Sequence, residues 1–491
     1  MSCRKIAVIP EPQAGEGLAR GLRARHVQLI ALGGTIGVGL FLGSAQAIHR
    51  AGPGLILGYT IAGVVIFFVM RALGELMLHR PVAGSFVAYA HEYVSPFAGF
   101  ITGWSYWFMW VVVAMAEVTA IGIYMTYWFP TLPQWVPALI ALVILYSSNL
   151  LAVRVFGELE FWFAMIKVVT IVGLIATGLV IIFFEVGDLG HQASFSNLWS
   201  HGGFTPFGIV GVLLTLQMVT FAYSGVELIG VTAGEAENPS VVLPKATRTI
   251  IFRILIFYIG SLVVIMSLLP WTELDPNTSP FVVVFDKIGI AGAAGLVNLV
   301  VITAAASACN SGIYSGGRML YALASKGQAP QTFAQLDRRQ TPVRGVTASF
   351  LLMLIGVGLN YAVPDQVFVW LTSIALTGTL WTWMMIMLAH RRYRIAVERG
   401  LAEPVAFRMP GAPFSNWFVI AFLFLVLVMM GIDPQTRIAL YVAGPWFSIL
   451  AVGYLHLRRA ARRAEIDLPH TPAYLAMQDE AAAEPACQGK A

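Results

Sequence analysis

The sequence predicts an all-α integral membrane protein of twelve transmembrane helices, and three observations lead there. Hydrophobic residues make up 58% of the 491 and charged residues only 11%, whereas a soluble chain carries roughly 25% charged residues. The apolar residues collect into twelve continuous runs, each near the ~20 residues that a helix needs to cross the hydrocarbon core. The 30 basic residues fall almost wholly on one side of those runs, as the positive-inside rule requires.

In chain order the runs cover 27–48, 53–78, 97–127, 135–153, 159–184, 206–232, 249–270, 288–317, 345–362, 367–390, 414–431 and 437–457. Their length and continuity mark helices rather than the short alternating segments of barrel strands. A cytoplasmic N-terminus puts Arg4, Lys5, Arg20, Arg23 and Arg25 inside, together with the basic run Arg391–Arg408 and the cluster Arg458–Arg463. Only Arg50, Lys287 and Arg437 fall outside, and Lys167 lies within a span. The net charge of +5 therefore reports topology. The expected large partner is the lipid bilayer, and no nucleic acid is expected. Trp135, Trp271 and Trp446 sit near span ends, where interfacial aromatics collect. Cys3 and Cys487 lie in the tails and Cys309 in the eighth run, so no disulfide framework is implied. The first run is too long for the core of a cleavable signal and reads as a permanent span. Asn277-Thr278-Ser279 is a glycosylation sequon on an expected external loop, relevant only in a eukaryotic secretory pathway.

Two of the runs are broken by small residues in corresponding halves of the chain: ALGGTIGVGLF at 31–41 and FAYSGVE at 221–227. Unwound backbone at bilayer depth survives only beside protein or a polar cavity. A matched pair of interrupted spans points to the midplane binding site of a secondary transporter. Gly33, Gly34, Gly37 and Gly39 also suit close helix packing, so two readings stand for the first break. In the functional one, Gly37-Val38-Gly39 leaves the helix and turns free N–H groups to a substrate carboxylate, with the positive end of the next half-helix behind them. A dinucleotide fingerprint is excluded, because the third glycine comes one residue late and no strand precedes it. At the second break, carbonyls released around Phe221, Ala222 and Ser224 would accept a substrate ammonium. Phe221 would close over the bound molecule as a gate.

Glu117, Lys167 and Glu227 are ionisable residues inside spans, where charge is expensive and usually functional. Lys167 either snorkels to the interface or is buried, where desolvation of its amine suits it to carry a proton. It could also stand as a fixed charge where other transporters bind sodium. Glu117 either faces the pocket or pairs with another polar group in the bundle. No enzyme is expected. The nine histidines form no HxxxH pair or Cys/His ligand cluster, so no metal or cofactor is implied. GIYSG at 312–316 is not a nucleophile elbow, and no phosphate-binding Walker sequence supports ATP-driven pumping.

The segment ALGGTIGVGLFLGSAQAIHRAGPG (31–54) resembles the signature of the bacterial amino acid permeases of the amino acid–polyamine–organocation superfamily. MRALGELMLHRPVAGSF (70–86), YWFPTLPQW (127–135), FGELEFWFAMIK (156–167), FAYSGVELIGVTAGEAENPSVVLPKA (221–246) and SACNSGIYSGGRMLYALASKGQAP (307–330) resemble that family in order. The resemblance implies a leucine-transporter-type fold, in which spans 1–5 and 6–10 form an inverted repeat with broken helices 1 and 6. Residues 1–26 are then an N-terminal cytoplasmic tail and 27–390 the transport core. Residues 391–460 hold a cytoplasmic loop and spans 11 and 12, and 461–491 a cytoplasmic tail. It further implies a proton-coupled importer of amino acids in the inner membrane, with both termini cytoplasmic and with the amino acid and the proton as partners. The substrate carboxylate is carried onto Val38 and Gly39, and the amine onto carbonyls of Ile36, Phe221 and Ser224. The gate falls on Phe221 and the lysine in the sodium position on Lys167. Segments resemble glycine/D-alanine/D-serine, aromatic, asparagine and proline permeases in turn, so a neutral amino acid is expected and no single one is chosen. An exchanger, or a non-transporting amino acid sensor, is the alternative.

Overall fold

The computed structural model describes residues 36–82, 84–150, 153–232, 254–276, 278–289 and 292–463. Gly33, Gly34, Asn277, both tails and the linker after Thr232 lie outside the described residues. Within them every regular element is helical. Among the described residues eight stretches are long and apolar enough to cross a bilayer, and the first, Val38–His79, is interrupted at Gly52–Gly54 and covers two spans. Three shorter apolar helices, Trp135–Asn149, Gly208–Ala222 and Leu255–Leu268, fall on the expected spans 4, 6 and 7. The twelve-span helical architecture stands.

Several boundaries differ from the apolar runs. Span 5 covers Val153–Phe184, so Lys167 is close to the middle of its helix. Span 10 runs from Pro364 to Glu398, past the apolar run, and span 8 from Ala293 to Ser325. Helical hydrogen bonding continues through polar residues wherever no breaker intervenes, whereas hydropathy stops at the first charges. Span 3, Pro96–Met125, begins where both signals agree: Pro96 takes the first helical position and the Ser95 hydroxyl caps the Ala98 N–H at 3.0 Å.

Span 3 is the axis of the fold. In its most apolar window 83% of residues are buried, against 28% for span 5 and 22% for span 12, so spans 5 and 12 present apolar surface outward. Spans 8, 9 and 10 pack along span 3. Lipid gives helices no hydrophobic reason to associate, and hydrogen bonds between them supply direction. Trp107 Nε1 donates to Ser349 Oγ at 2.9 Å, Asn360 Nδ2 to Thr119 Oγ1 at 2.7 Å and Trp381 Nε1 to Thr102 Oγ1 at 3.1 Å. A buried network joins span 2 to span 10. Glu75 accepts from His390 at 2.9 Å, from Arg394 at 3.0 Å and from the Met409 N–H at 2.6 Å. Asn416 of span 11, Phe414–Ile432, completes it against His390 at 3.1 Å.

Candidate functional site

The second expected break is present, and the described part of the first, from Ile36 onward, meets it. In span 1, Ile36 and Gly37 are non-helical, and a short helix then covers Val38–Phe41 before Gly43–Ala51 continues the span. This corrects the expectation that Val38 and Gly39 lie in the unwound stretch: they open the following half-helix. Their N–H groups remain donors without an intrahelical acceptor, because the first turn of any helix leaves its amides unpaired. Span 6 ends at Ala222, turns through Tyr223–Glu227 and resumes at Leu228. Gly225 supplies the positive φ of +95° that this turn needs.

The half-helices touch at Gly39. A Cβ there would stand 2.6 Å from Ala222 Cα, so Gly39 is glycine because two backbones approach each other. The packing reading of the first break is thus correct for this residue. Gly37 is glycine for another reason, since a Cβ there would meet the Glu117 carboxyl oxygen at 2.5 Å.

Around this contact lies a cavity lined by Gly37, Gly39, Met109, Trp110, Val113, Glu117, Phe221, Ala222 and Ser224. It is small, about 10 Å³, the room of roughly one water molecule. Ile36 and Val38 are buried beside it. The largest side chains of the lining are Phe221, Met109 and Trp110.

Glu117 projects from span 3 into the first break, and its Oε2 accepts the Val38 N–H at 3.3 Å. Of the two readings of Glu117, it both lines the cavity and pairs with backbone there. The ionisable groups within its electrostatic reach are Lys167 of span 5, Tyr124 of its own helix and Cys309 of span 8. Lys167 is fully buried, which removes the snorkelling alternative. It stands outside the cavity lining and donates to Ser307 Oγ at 2.9 Å.

At the second break the carbonyls are not all free. The Ala222 carbonyl accepts from Tyr258 Oη at 3.0 Å, and the Phe221 carbonyl accepts from Ser224 N–H at 2.9 Å. The Tyr223 N–H, at the C-terminal cap of this half-helix, also donates to the Phe221 carbonyl. Ser224 Oγ is within 3.0 Å of Thr379 Oγ1 on span 10. Glu227 is not part of the cavity lining: its Oε2 accepts from Gly225 N–H at 3.2 Å and Trp383 Nε1 at 3.1 Å, which ties the turn to span 10.

Met109, Trp110 and Val113 escaped the sequence reading, although a signal existed. They stand eight, seven and four residues before Glu117, so they share its helix face. Among the described residues no basic side chain lines the cavity, and no cluster of metal-ligating side chains occurs.

Comparison with known proteins adds a family. The amino acid permease profile matches residues 26–466. The chain is 52% identical to the uncharacterized amino acid permease YtnA of Bacillus subtilis (strain 168), over 91% of this chain and 98% of that one. It is 50% identical to the probable threonine/serine transporter YbxG of the same organism, over 90% and 95%. It is 46% identical to the aromatic amino acid transport protein AroP of Escherichia coli (strain K12), over 92% and 98%.

Proposed function

The chain belongs to the amino acid permease family, and from that premise we propose that it imports a neutral amino acid together with a proton. The carboxylate seat is the pair of N–H groups at Val38 and Gly39. The amine seat is the set of carbonyls at Ile36, Phe221 and Ser224, and Phe221 is the gate. Support for a neutral substrate comes from the walls: Met109, Trp110, Val113 and Phe221 give its side chain apolar surface. YbxG and AroP are named for hydroxyl and aromatic substrates, which leaves the individual amino acid to experiment.

One observation carries the proton coupling. The Val38 N–H assigned to the substrate carboxylate is already bonded to Glu117. Two anionic carboxylates repel at one donor, so substrate entry favours a Glu117 that has taken a proton or moved off the amide. Lys167, within electrostatic reach, is the next proton carrier. A substrate that arrives with a proton on this pair shifts the balance between outward- and inward-open forms by its differential affinity for them.

The test is uptake of labelled amino acids by the full chain in proteoliposomes, competed with each of the twenty amino acids and D-alanine. Uptake should rise as external pH falls, collapse with a protonophore and proceed without sodium. A sodium requirement would refute the coupling. Absence of uptake, with binding retained, would favour a sensor.

A further inference from the structure

A second buried carboxylate lies on the helix that carries Lys167. Glu160 precedes it by seven residues, almost two turns, which places both on one face about 10 Å apart along the axis. Both side chains are fully buried. Span 8 bridges them with one hydroxyl: Lys167 Nζ donates to Ser307 Oγ at 2.9 Å, and Ser307 Oγ donates to Glu160 Oε1 at 2.6 Å. A serine that accepts from an ammonium and donates to a carboxylate is wired to pass a proton.

The polar row continues past Glu160. Ser311 and Asn310 of span 8 face its carboxyl group. Asn310 Oδ1 accepts from Asn149 Nδ2 at 2.7 Å and from Ser148 Oγ at 3.3 Å, at the end of span 4. Ser148 is half-buried, so the row reaches the edge of the fold. Lys167 is the charged group that acts on Glu160, and the groups facing it from span 8 are neutral. Glu117 acts on Lys167 as well.

We propose that Glu160 receives the proton of Lys167 on its way to the cytoplasm, with Ser307 as the carrier between them. An N–H bond of the ammonium breaks toward Ser307 Oγ while the Ser307 hydroxyl proton bonds to Glu160 Oε1. Lys167 is left as a neutral amine and Glu160 as a neutral carboxylic acid, and one proton has moved with no change elsewhere. Glu160 then releases it to water past Ser311, Asn310 and Ser148. This inference rests on the proton-coupled reading of Lys167.

The experiment compares two modes in proteoliposomes: net accumulation driven by a proton gradient, and exchange of internal for external labelled amino acid. Exchange returns the carrier loaded and requires no net proton release. Glu160→Gln and Ser307→Ala should keep exchange and lose net uptake by roughly 10²-fold, the scale of a lost positioned proton carrier. Ser307→Thr, which retains the hydroxyl, should recover net uptake. Unaltered accumulation in Glu160→Gln, or loss of both modes together in Glu160→Gln and Ser307→Ala, overturns the relay. Wild-type accumulation indifferent to the proton gradient would instead remove the reading of Lys167.

Discussion

The amide of Val38 has one proton to offer, and Glu117 holds it at 3.3 Å. Competition for that donor gives the proposed coupling a definite sign. Wild-type substrate affinity should be greatest at low pH, where Glu117 can take a proton and yield the amide. It should fall as pH rises and the anion reclaims it. Glu117→Gln should bind with affinity flat in pH and should lose gradient-driven accumulation. Isothermal titration across pH decides this, and a pH-dependent Glu117→Gln would place the titrating group elsewhere. Phe221→Ala should reduce turnover by roughly tenfold, about 1.4 kcal/mol of barrier, with a smaller change in affinity, because the Phe221 carbonyl survives the substitution. Equal losses in both would make the ring a packing residue. Glu117 and Lys167 were legible because charge inside an apolar run announces itself. Glu160 was not, since it fell at the edge of the apolar run 159–184, where a carboxylate reads as interfacial. Its place in the interior comes from packing against span 8, where Ser307 meets it.

At the scale of the element, the small residues in both breaks were readable, but their separate purposes were not. Gly37 yields to a carboxylate and Gly39 to the backbone of Ala222, and contacts between residues so far apart in the chain leave no local trace. Gly39→Val should therefore act first on packing, since overfilling such a contact costs about 1–3 kcal/mol. A lowered melting temperature in detergent, alongside any loss of binding, is the expected result. The network on Glu75 offers a sharper contrast. Its carboxylate is 1% exposed and meets His390 and Arg394, so Glu75→Ala strands buried polar partners and should cost about 3–5 kcal/mol. Arg50 pairs with Asp433 at 2.6 Å but is itself 32% exposed, and Arg50→Ala should cost at most about 1 kcal/mol. Thermal unfolding of the two variants ranks them, and an equal or reversed order would contradict the assignment of Glu75 as an interior tie.

Across the whole molecule, twelve spans and their order followed from hydropathy and basic-residue placement, because the bilayer imposes both on the sequence directly. Which spans surround the cavity was not readable, since Met109, Trp110 and Val113 look like any other apolar residues of a span. Glu117 at the cavity, Lys167 within its electrostatic reach and Glu160 beyond Ser307 are three buried ionisable groups on spans 3 and 5. In the proposed mechanism they make substrate entry and proton entry a single event. The most direct measurement is the lumenal pH of proteoliposomes that contain the full chain and a trapped pH indicator. Addition of an external transported amino acid, with no gradient imposed and charge balanced by an ionophore, should acidify the lumen in step with substrate uptake. Uptake of the same amino acid with no change in lumenal pH would contradict the claim that the two move together.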